Sequence, residues 1–398
     1  MKPSLPFPRR HALALVAALA LGASAASAQD KDPIRIGAVT SLSGVFAQQG
    51  EEVMRGIEFA VEEANKAGGV DGRKVVLQKA DDESTPEAGR RVAEKLAREG
   101  HNLLVGPIAS SITMAIGQNL QRWNALQMAV ISKSDKITGD SCKPRMFRTA
   151  FSDAMDIAMF NAWMKDVPGK TYAVVGADYV WGRDSGEQFT KAAKATGKNV
   201  PLAVYPPLGT KDFAPYIAQI KAVKDLDGVW VALVGRDLIA FAKQAKEFGL
   251  TDKRILGHAY IMDFVVNATG DATEGVWGNM GYGAGIDTPL NKAFVQGFQA
   301  KHGRVPTDNE GQAYNGVRTI FEGVKLAKSV KPGDVAKALR GASYDTVYGK
   351  VTMRAADNQQ VMGNYIGQVK KVDGKLRPVI ERSFPASLTP PPSADCKM

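Results

Sequence analysis

Hydrophobic and polar positions change period in a regular order along this chain. Residues 34–39 alternate once and then run apolar, as a buried strand does. Val53, Ile57, Ala60, Val61 and Ala64 then recur at helical spacing, and Gly68-Gly69 stop that helix. A strand at 75–77 is followed by Pro86, which opens a helix with Ala88, Val92, Leu96 and Ala97 on one face. A strand at 103–105, a helix from Ser110 and a strand at 128–131 continue the alternation. Strand–helix repeats of this length predict a parallel sheet with helices on both faces. After an extended stretch at 147–151 and a helix cap at Ser152-Asp153, a second series begins. Its strands are expected at 172–175, 200–205, 229–233 and 254–256, and its helices at 185–195, 213–223 and 238–248. Two such series predict two similar α/β lobes. Glycine-rich 281–285 reads as a crossing back, before helices at 291–301, 309–329 and 333–340. A hairpin follows, with residues 365–370 turning at Asp373-Gly374, and Pro390-Pro391-Pro392 makes a stiff extended tail.

The first residues stand outside this pattern. Lys2, Arg9 and Arg10 form a positive n-region, residues 12–25 an apolar one, and Ala26-Ser27-Ala28 a small-residue cleavage site. A signal peptide at 1–28, cleaved after Ala28, predicts a secreted, soluble protein; a permanent span is not expected. The formal charge of +10 is interspersed along the helices, with no basic block, so nucleic acid is not implied. Cys142 and Cys396 are the two cysteines of the chain. In an oxidising compartment a disulfide between them is expected, against the alternative of two buried thiols.

Catalytic patterns are missing. His101, His258 and His302 have no His or Cys at metal-ligand spacing, so no metal is expected. No Gly-x-Ser-x-Gly elbow, His-Glu-x-x-His or phosphate-loop lysine occurs. Gly281-x-Gly283-x-Gly285 lacks the spacing of a dinucleotide fingerprint, and no cofactor is implied. Asp81-Asp82-Glu83 reads as a solvated acidic loop sooner than a cation site. One loop does invite chemistry. Strand 103–105 ends at Gly106-Pro107, and Ser110-Ser111 open a helix whose first amides and dipole favour an anion. Ser110 either caps that helix or, with Ser111, donates to a carboxylate. A two-lobed exported protein without a catalytic set is expected to trap a ligand and not to be an enzyme.

The ordered motifs carry a resemblance. Ile36-Gly37-Ala38-Val39-x-Ser41-Leu42-Ser43-Gly44 with Gly50, Gly56-Ile57-x-x-Ala60, Asn65-x-x-Gly68-Gly69-Val70-x-Gly72 and Asp81-Asp82 form its opening. Gly106-Pro107-x-x-Ser110-Ser111, Phe147-Arg148-Thr149, Tyr179-Val180-Trp181-Gly182 and Tyr348-Gly349 continue it. Across essentially the whole chain after the leader, this resembles periplasmic leucine/isoleucine/valine-type binding proteins, the type I solute receptors of bacterial ABC importers. The resemblance implies an α/β fold of two Rossmann-like lobes joined by a three-segment hinge, with crossings near Phe151, Gly281 and Met362. The first lobe is expected at 32–151 plus 282–361, the second at 152–281 plus 362–384, and a tail at 385–398. It also implies a monomer whose partners are a small-molecule ligand and ABC permease subunits.

Single positions follow from it. Ser110 takes the place of a serine that grips a ligand carboxylate, and Ser134 and Lys136 that of further carboxylate donors. The alternative for Lys133 and Lys136 is solvated loop charge. Trp181, with Tyr179, takes the place of an aromatic ligand wall at the crevice edge. Gln49 stands where an aromatic or small residue is expected, and Tyr260 and Arg236 lie at the same edge. Amino-acid binders of the family carry a glutamate for the ligand ammonium where this chain has Ala259. Losing it removes a charge-assisted bond of roughly 1.5–3 kcal/mol unless Asp135 or Asp237 substitutes. The set therefore suggests an organic acid, best an aromatic or planar carboxylate. Alternatives are a branched-chain amino acid or amide, or a sensory receptor that signals to a kinase or chemoreceptor; a hydrolase is discouraged.

Overall fold

The computed structural model describes Met1, Pro3, 31–164, 167, 169–252, 255–372 and 374–398. The leader expected at 1–28 falls outside these residues apart from Met1 and Pro3, as do Arg254 of the expected strand and Asp373 of the expected turn. No helix among the described residues is long and apolar enough to cross a membrane.

Five strands form the first sheet: β1 (Ile34–Thr40), β2 (Val75–Asp81), β3 (Leu103–Val105), β4 (Leu126–Ala129) and β5 (Met146–Arg148). Their order is β2-β1-β3-β4-β5 and every pairing is parallel. Parallel neighbours need crossovers, which α1 (Ala47–Lys66), α2 (Pro86–Arg98) and α3 (Ser110–Gly117) supply. Ile36, Ala38, Val105 and Met128 of the central strands are fully buried, as continuous apolar runs covered on both faces must be.

Residues 149–152 carry the chain to α4 (Asp153–Met164) and a second sheet. There β6 (Thr171–Gly176), α5 (Val180–Ala195), β7 (Asn199–Val204), α6 (Ala214–Lys221), β8 (Gly228–Ala232), α7 (Gly235–Glu247), β9 (Ile255–His258), α8 (Asp263–Thr269) and β10 (Trp277–Asn279) repeat the alternation. An aromatic cluster welds this lobe together. Phe189 stacks on Trp230 at 4.6 Å, and Phe160 meets Trp230 edge-on at 4.8 Å.

Residues 280–288 return the chain to the first lobe, where α9 (Pro289–His302), α10 (Asp308–Ala327) and α11 (Pro332–Leu339) pack. Gly56 lets α1 and α10 touch, because a Cβ there would lie 2.3 Å from the Glu310 carbonyl oxygen. A small antiparallel sheet of β11 (Ser343–Thr346), β12 (Gly349–Met353) and β13 (Gln360–Val361), which the hydrophobic pattern did not predict, closes this lobe. Its strands are too short for alternation to stand out. Residues 362–363 cross once more to the hairpin of β14 (Asn364–Val372) and β15 (Lys375–Phe384). It extends the second sheet to β15-β14-β10-β9-β8-β6-β7, with β14 antiparallel to β10. The hairpin expected from residues 365–370 thus gives the parallel strands of this lobe an antiparallel edge.

The tail then runs back. Cys396 is disulfide-bonded to Cys142 of the first lobe, closing a separation of 254 residues, and the Arg354 guanidinium donates to the Pro390 carbonyl at 2.7 Å.

Candidate functional site

In open α/β sheets the carboxyl ends of the strands face a crevice. The loops after β1, β3 and β4 of the first lobe and after β6, β8 and β9 of the second meet there. Ser110 is the first residue of α3, whose N-cap is Ala109 in an extended conformation with no side-chain cap bond. The Ser110 hydroxyl is therefore not a helix cap. It accepts the Ser134 N–H at 3.2 Å and is 1% exposed. Ser111 follows it, half-buried.

A buried arginine shapes the loop that carries Ser134. Arg148, on β5, donates to the carbonyls of Lys133 (3.1 Å) and Ser134 (2.6 Å), to the Thr138 hydroxyl (2.6 Å) and to the Gln359 amide oxygen (2.6 Å). Its planar fork holds the turn rigidly enough to present the donors beside it. Ser132 reinforces the turn, with its hydroxyl 2.9 Å from the Ile108 carbonyl and 2.5 Å from Thr113 Oγ1.

The second lobe closes on this loop. The Ser134 hydroxyl donates to a carboxylate oxygen of Asp184 on α5, and Lys136 Nζ lies 3.9 Å from the other oxygen. Lys136 is half exposed. Asp135 accepts the Ala154 N–H at 2.9 Å and the Gln188 amide at 3.2 Å. Phe46 meets Tyr179 edge-on at 6.2 Å, and Tyr179 tilts against Trp181 at 6.1 Å. Trp181 is buried, and its indole N–H has no partner in the protein. Gly235, at φ +55°, passes so near Val45 that a Cβ would lie 2.4 Å from its carbonyl oxygen. Arg236, next to it, is exposed.

Tyr260 lies buried at the floor, with its hydroxyl bonded by the Gln312 amide. Gln49 is buried too. Its amide donates to Asn309 Oδ1 at 3.0 Å, while its own carbonyl oxygen has no partner. Ala259, the position at which the resemblance led to the expectation of a glutamate in amino-acid binders, is buried. Both carboxylates that could replace that glutamate are engaged, Asp135 as above and Asp237 by the Gly209 N–H at 2.9 Å.

Asp184 and Phe46 carry no site signal that the sequence pattern revealed, and Asp153 and Lys133 differ from their simplest sequence reading. Asp184 sits one helical turn beyond Trp181, a spacing that could have flagged it. Phe46 precedes α1 without any periodic signal. Asp153 reads from the sequence as a helix start, and the structure gives that cap bond to the Ser152 hydroxyl, 3.1 Å from the Met155 N–H. One Asp153 carboxyl oxygen is buried without a partner. Burial first, then Asp135 and Asp156, push its pKa well above the usual carboxylate range. Lys133 is 5% exposed, which rules out for it the alternative of a solvated loop charge.

Asp82 corrects another. It is fully buried, accepting the Ser41 hydroxyl at 2.6 Å and the Ser84 N–H at 2.9 Å, so it ties loops together and is not solvated. No group of three His, Cys, Asp or Glu side chains that could hold a metal occurs among the described residues.

Beside the crevice the lobes share an acidic hinge. Asp263 of α8 accepts the Asp308 N–H at 3.1 Å, and Asp308 of α10 accepts the Asp263 N–H at 3.2 Å, each capping the other's helix. Glu52 lies near them, accepting the Asn309 amide at 2.7 Å. Burial pushes Glu52 up from 4.5 to about 7; Asp263 and Glu310 act in the same direction, and Asn309 and Arg55 oppose it. A carboxyl raised in the folded state stabilises fully below its unfolded pKa. That contribution is lost as pH rises through the folded one. Raising pH from about 4.5 to 7 is expected to remove on the order of 3 kcal/mol of stability through Glu52. Glu52→Gln flattens that slope in urea unfolding followed across this window; equal slopes for both proteins would contradict it.

Comparison with known proteins gives one consistent result. The sequence model of the family described as "Periplasmic binding protein" matches residues 33–375. A leucine-, isoleucine-, valine-, threonine- and alanine-binding protein of Pseudomonas aeruginosa is 28% identical over 85% of this chain and 90% of its own length. Among solved structures, an ABC transporter substrate-binding protein from Sphaerobacter thermophilus superposes with a TM-score of 0.79 at 25% identity, covering 89% of this chain and 98% of that one. A solute binding protein of an ABC transporter from Rhodopseudomonas palustris HaA2, in complex with p-hydroxybenzoic acid, gives 0.81 at 25% identity over 89% and 98%.

Proposed function

The chain belongs to the periplasmic binding protein family, a solute-binding receptor of ABC transporters and not an enzyme, and we propose that its ligand is a small organic acid, aromatic or otherwise planar. The observation that carries this reading is the seating of Asp184. A carboxylate from the opposite lobe rests on the Ser134 hydroxyl beside Lys136, so the donors of this loop suit a carboxylate. Ser110, through its bond to the Ser134 N–H, belongs to the same donor set, with Ser111 beside it. Phe46, Tyr179, Trp181 and Tyr260 supply faces for a planar ring.

An α-amino group fits less well. Ala259 offers no charge, Asp135 and Asp237 are engaged, and burial disfavours the charged form of Asp153 that a counter-ion needs. The p-hydroxybenzoic acid held by the Rhodopseudomonas relative supports an aromatic acid, while the amino acids named for the Pseudomonas relative define the competing class. The mechanism makes no bond. An acid touching both lobes binds the closed form more tightly and shifts the open–closed equilibrium toward it, for delivery to a permease in the periplasm.

A thermal-shift panel of benzoate, 4-hydroxybenzoate, aliphatic acids, amides, leucine and valine tests this. An acid at a hundred times its Kd stabilises by about 2.7 kcal/mol. Ser134→Ala is expected to weaken acid binding roughly 10- to 100-fold, the worth of one charge-assisted hydrogen bond. Asp184→Asn is expected to tighten it, because the competing charge is gone. A panel in which leucine or valine alone raises the melting temperature contradicts the reading.

A further inference from the structure

The Lys133 side chain makes no contact with the carboxylate donors, yet it is buried at 5% exposure. Its ammonium is ion-paired with Asp156 and donates to Asn279 Oδ1 at 2.7 Å, 4.7 Å from the centre of the Tyr260 ring. Asn279 in turn donates to Asn364 Oδ1 at 2.8 Å, and Asn364 donates to the second Asp156 oxygen at 3.0 Å. Asp156, Asn279, Asn364 and Tyr260 are each at most 5% exposed. All four belong to the second lobe, on α4, β10, β14 and the loop after β9, whereas Lys133 reaches in from the first lobe.

The four wall residues make a complete receptor for one kind of group. Without a cation, a buried carboxylate oxygen and a buried amide oxygen face an aromatic ring with no donor, an arrangement that costs several kcal/mol. A compact ammonium with three diverging donors answers both oxygens and presents its charge to the ring. A planar guanidinium, with its donors fixed in a fork, does not match this geometry. The amides are also oriented for it. The Asn279 and Asn364 NH₂ groups are used within the ring of bonds, which leaves the Asn279 oxygen free for the cation.

We propose that the second lobe carries a recognition cage for a primary ammonium, built from Asp156, Asn279, Asn364 and Tyr260, and that lobe closure fills it with Lys133. The cage then acts as a latch. It draws in the residue directly before Ser134, so closure and the placing of the carboxylate donors are one event. When the lobes part, the cage opens to alkylammonium ions in solution.

Lys133→Ala removes three methylenes and the ammonium, a gap that n-propylammonium fills. Titrating n-propylammonium chloride into this variant is expected to raise its melting temperature saturably, by about 3 °C. Wild type gives no saturable rise, and n-propanol and methylguanidinium give none with either protein. Adding Asp156→Asn to the variant abolishes the response. Equal responses of wild type and variant, or of propylammonium and propanol, overturn the proposal. A second measurement covers a variant that does not fold. In wild type labelled with ¹⁵N-lysine, one slowly exchanging ammonium resonance is expected at neutral pH, and it is missing in Lys133→Met. Its absence from wild type overturns the proposal as well. Neither experiment uses an acid ligand, so their outcome is separate from that of the carboxylate reading.

Discussion

Replacing Arg148 with methionine is expected to destabilise the protein by about 3–5 kcal/mol, the loss that follows when one member of a buried charged network is removed. Arg148 is fully enclosed and donates to four acceptors, two of them the carbonyls of Lys133 and Ser134. Methionine fills much of the space but leaves the Gln359 amide oxygen without a donor, and the Lys133 and Ser134 carbonyls keep only the Asp153 and Ile137 N–H groups. A stranded buried acceptor costs roughly 1–3 kcal/mol. The loop holding Ser134 and Lys136 also loses its brace, so acid binding falls together with the urea midpoint. Arg148→Lys keeps the charge but not the fork, and should recover stability only in part. An unchanged midpoint for Arg148→Met would show that the guanidinium does not hold the loop.

Breaking the Cys142–Cys396 disulfide is the second large perturbation. The bridge spans 254 residues, and chain entropy alone sets its stabilisation at about 5 kcal/mol as an upper figure. Its position adds a mechanical role, because the tail leaves β15 in the second lobe and is fastened to the first. The bond is in effect a fourth connection beside the three crossings. Cys396→Ser is expected to lower the melting temperature by several degrees under non-reducing conditions. Adding dithiothreitol should bring wild type to the same value and leave the variant unchanged. Identical melting of oxidised wild type and variant would contradict this.

The scaffold was legible because its rules are local. The run at 34–39 became β1, the helical spacing from Val53 became the buried face of α1, and the second alternating series became the second sheet. Export alone suggested the disulfide. Ser110 stands out from its strand–loop–helix pattern, and Ser134 and Trp181 only from the family resemblance, while the carboxyl ends of parallel strands bring all three toward one crevice. What stayed hidden depends on contacts between distant residues. A lysine in a polar loop reads as solvated until Asn279, 146 residues away, and Asp156 are brought around it. Asp82 reads as solvated until Ser41, 41 residues earlier, bonds it. Arg236 and Trp181 show the reverse case. Both sit near the start of a helix at the crevice edge, yet only the indole turns inward, and nothing in their spacing distinguishes them.

Isothermal titration of the purified protein with 4-hydroxybenzoate and, separately, with leucine tests the central claim most directly. Saturable binding of the aromatic acid is expected at one site per chain, weakened by Ser134→Ala, with no heat of binding from leucine. Saturable leucine binding with none of the acid would contradict it.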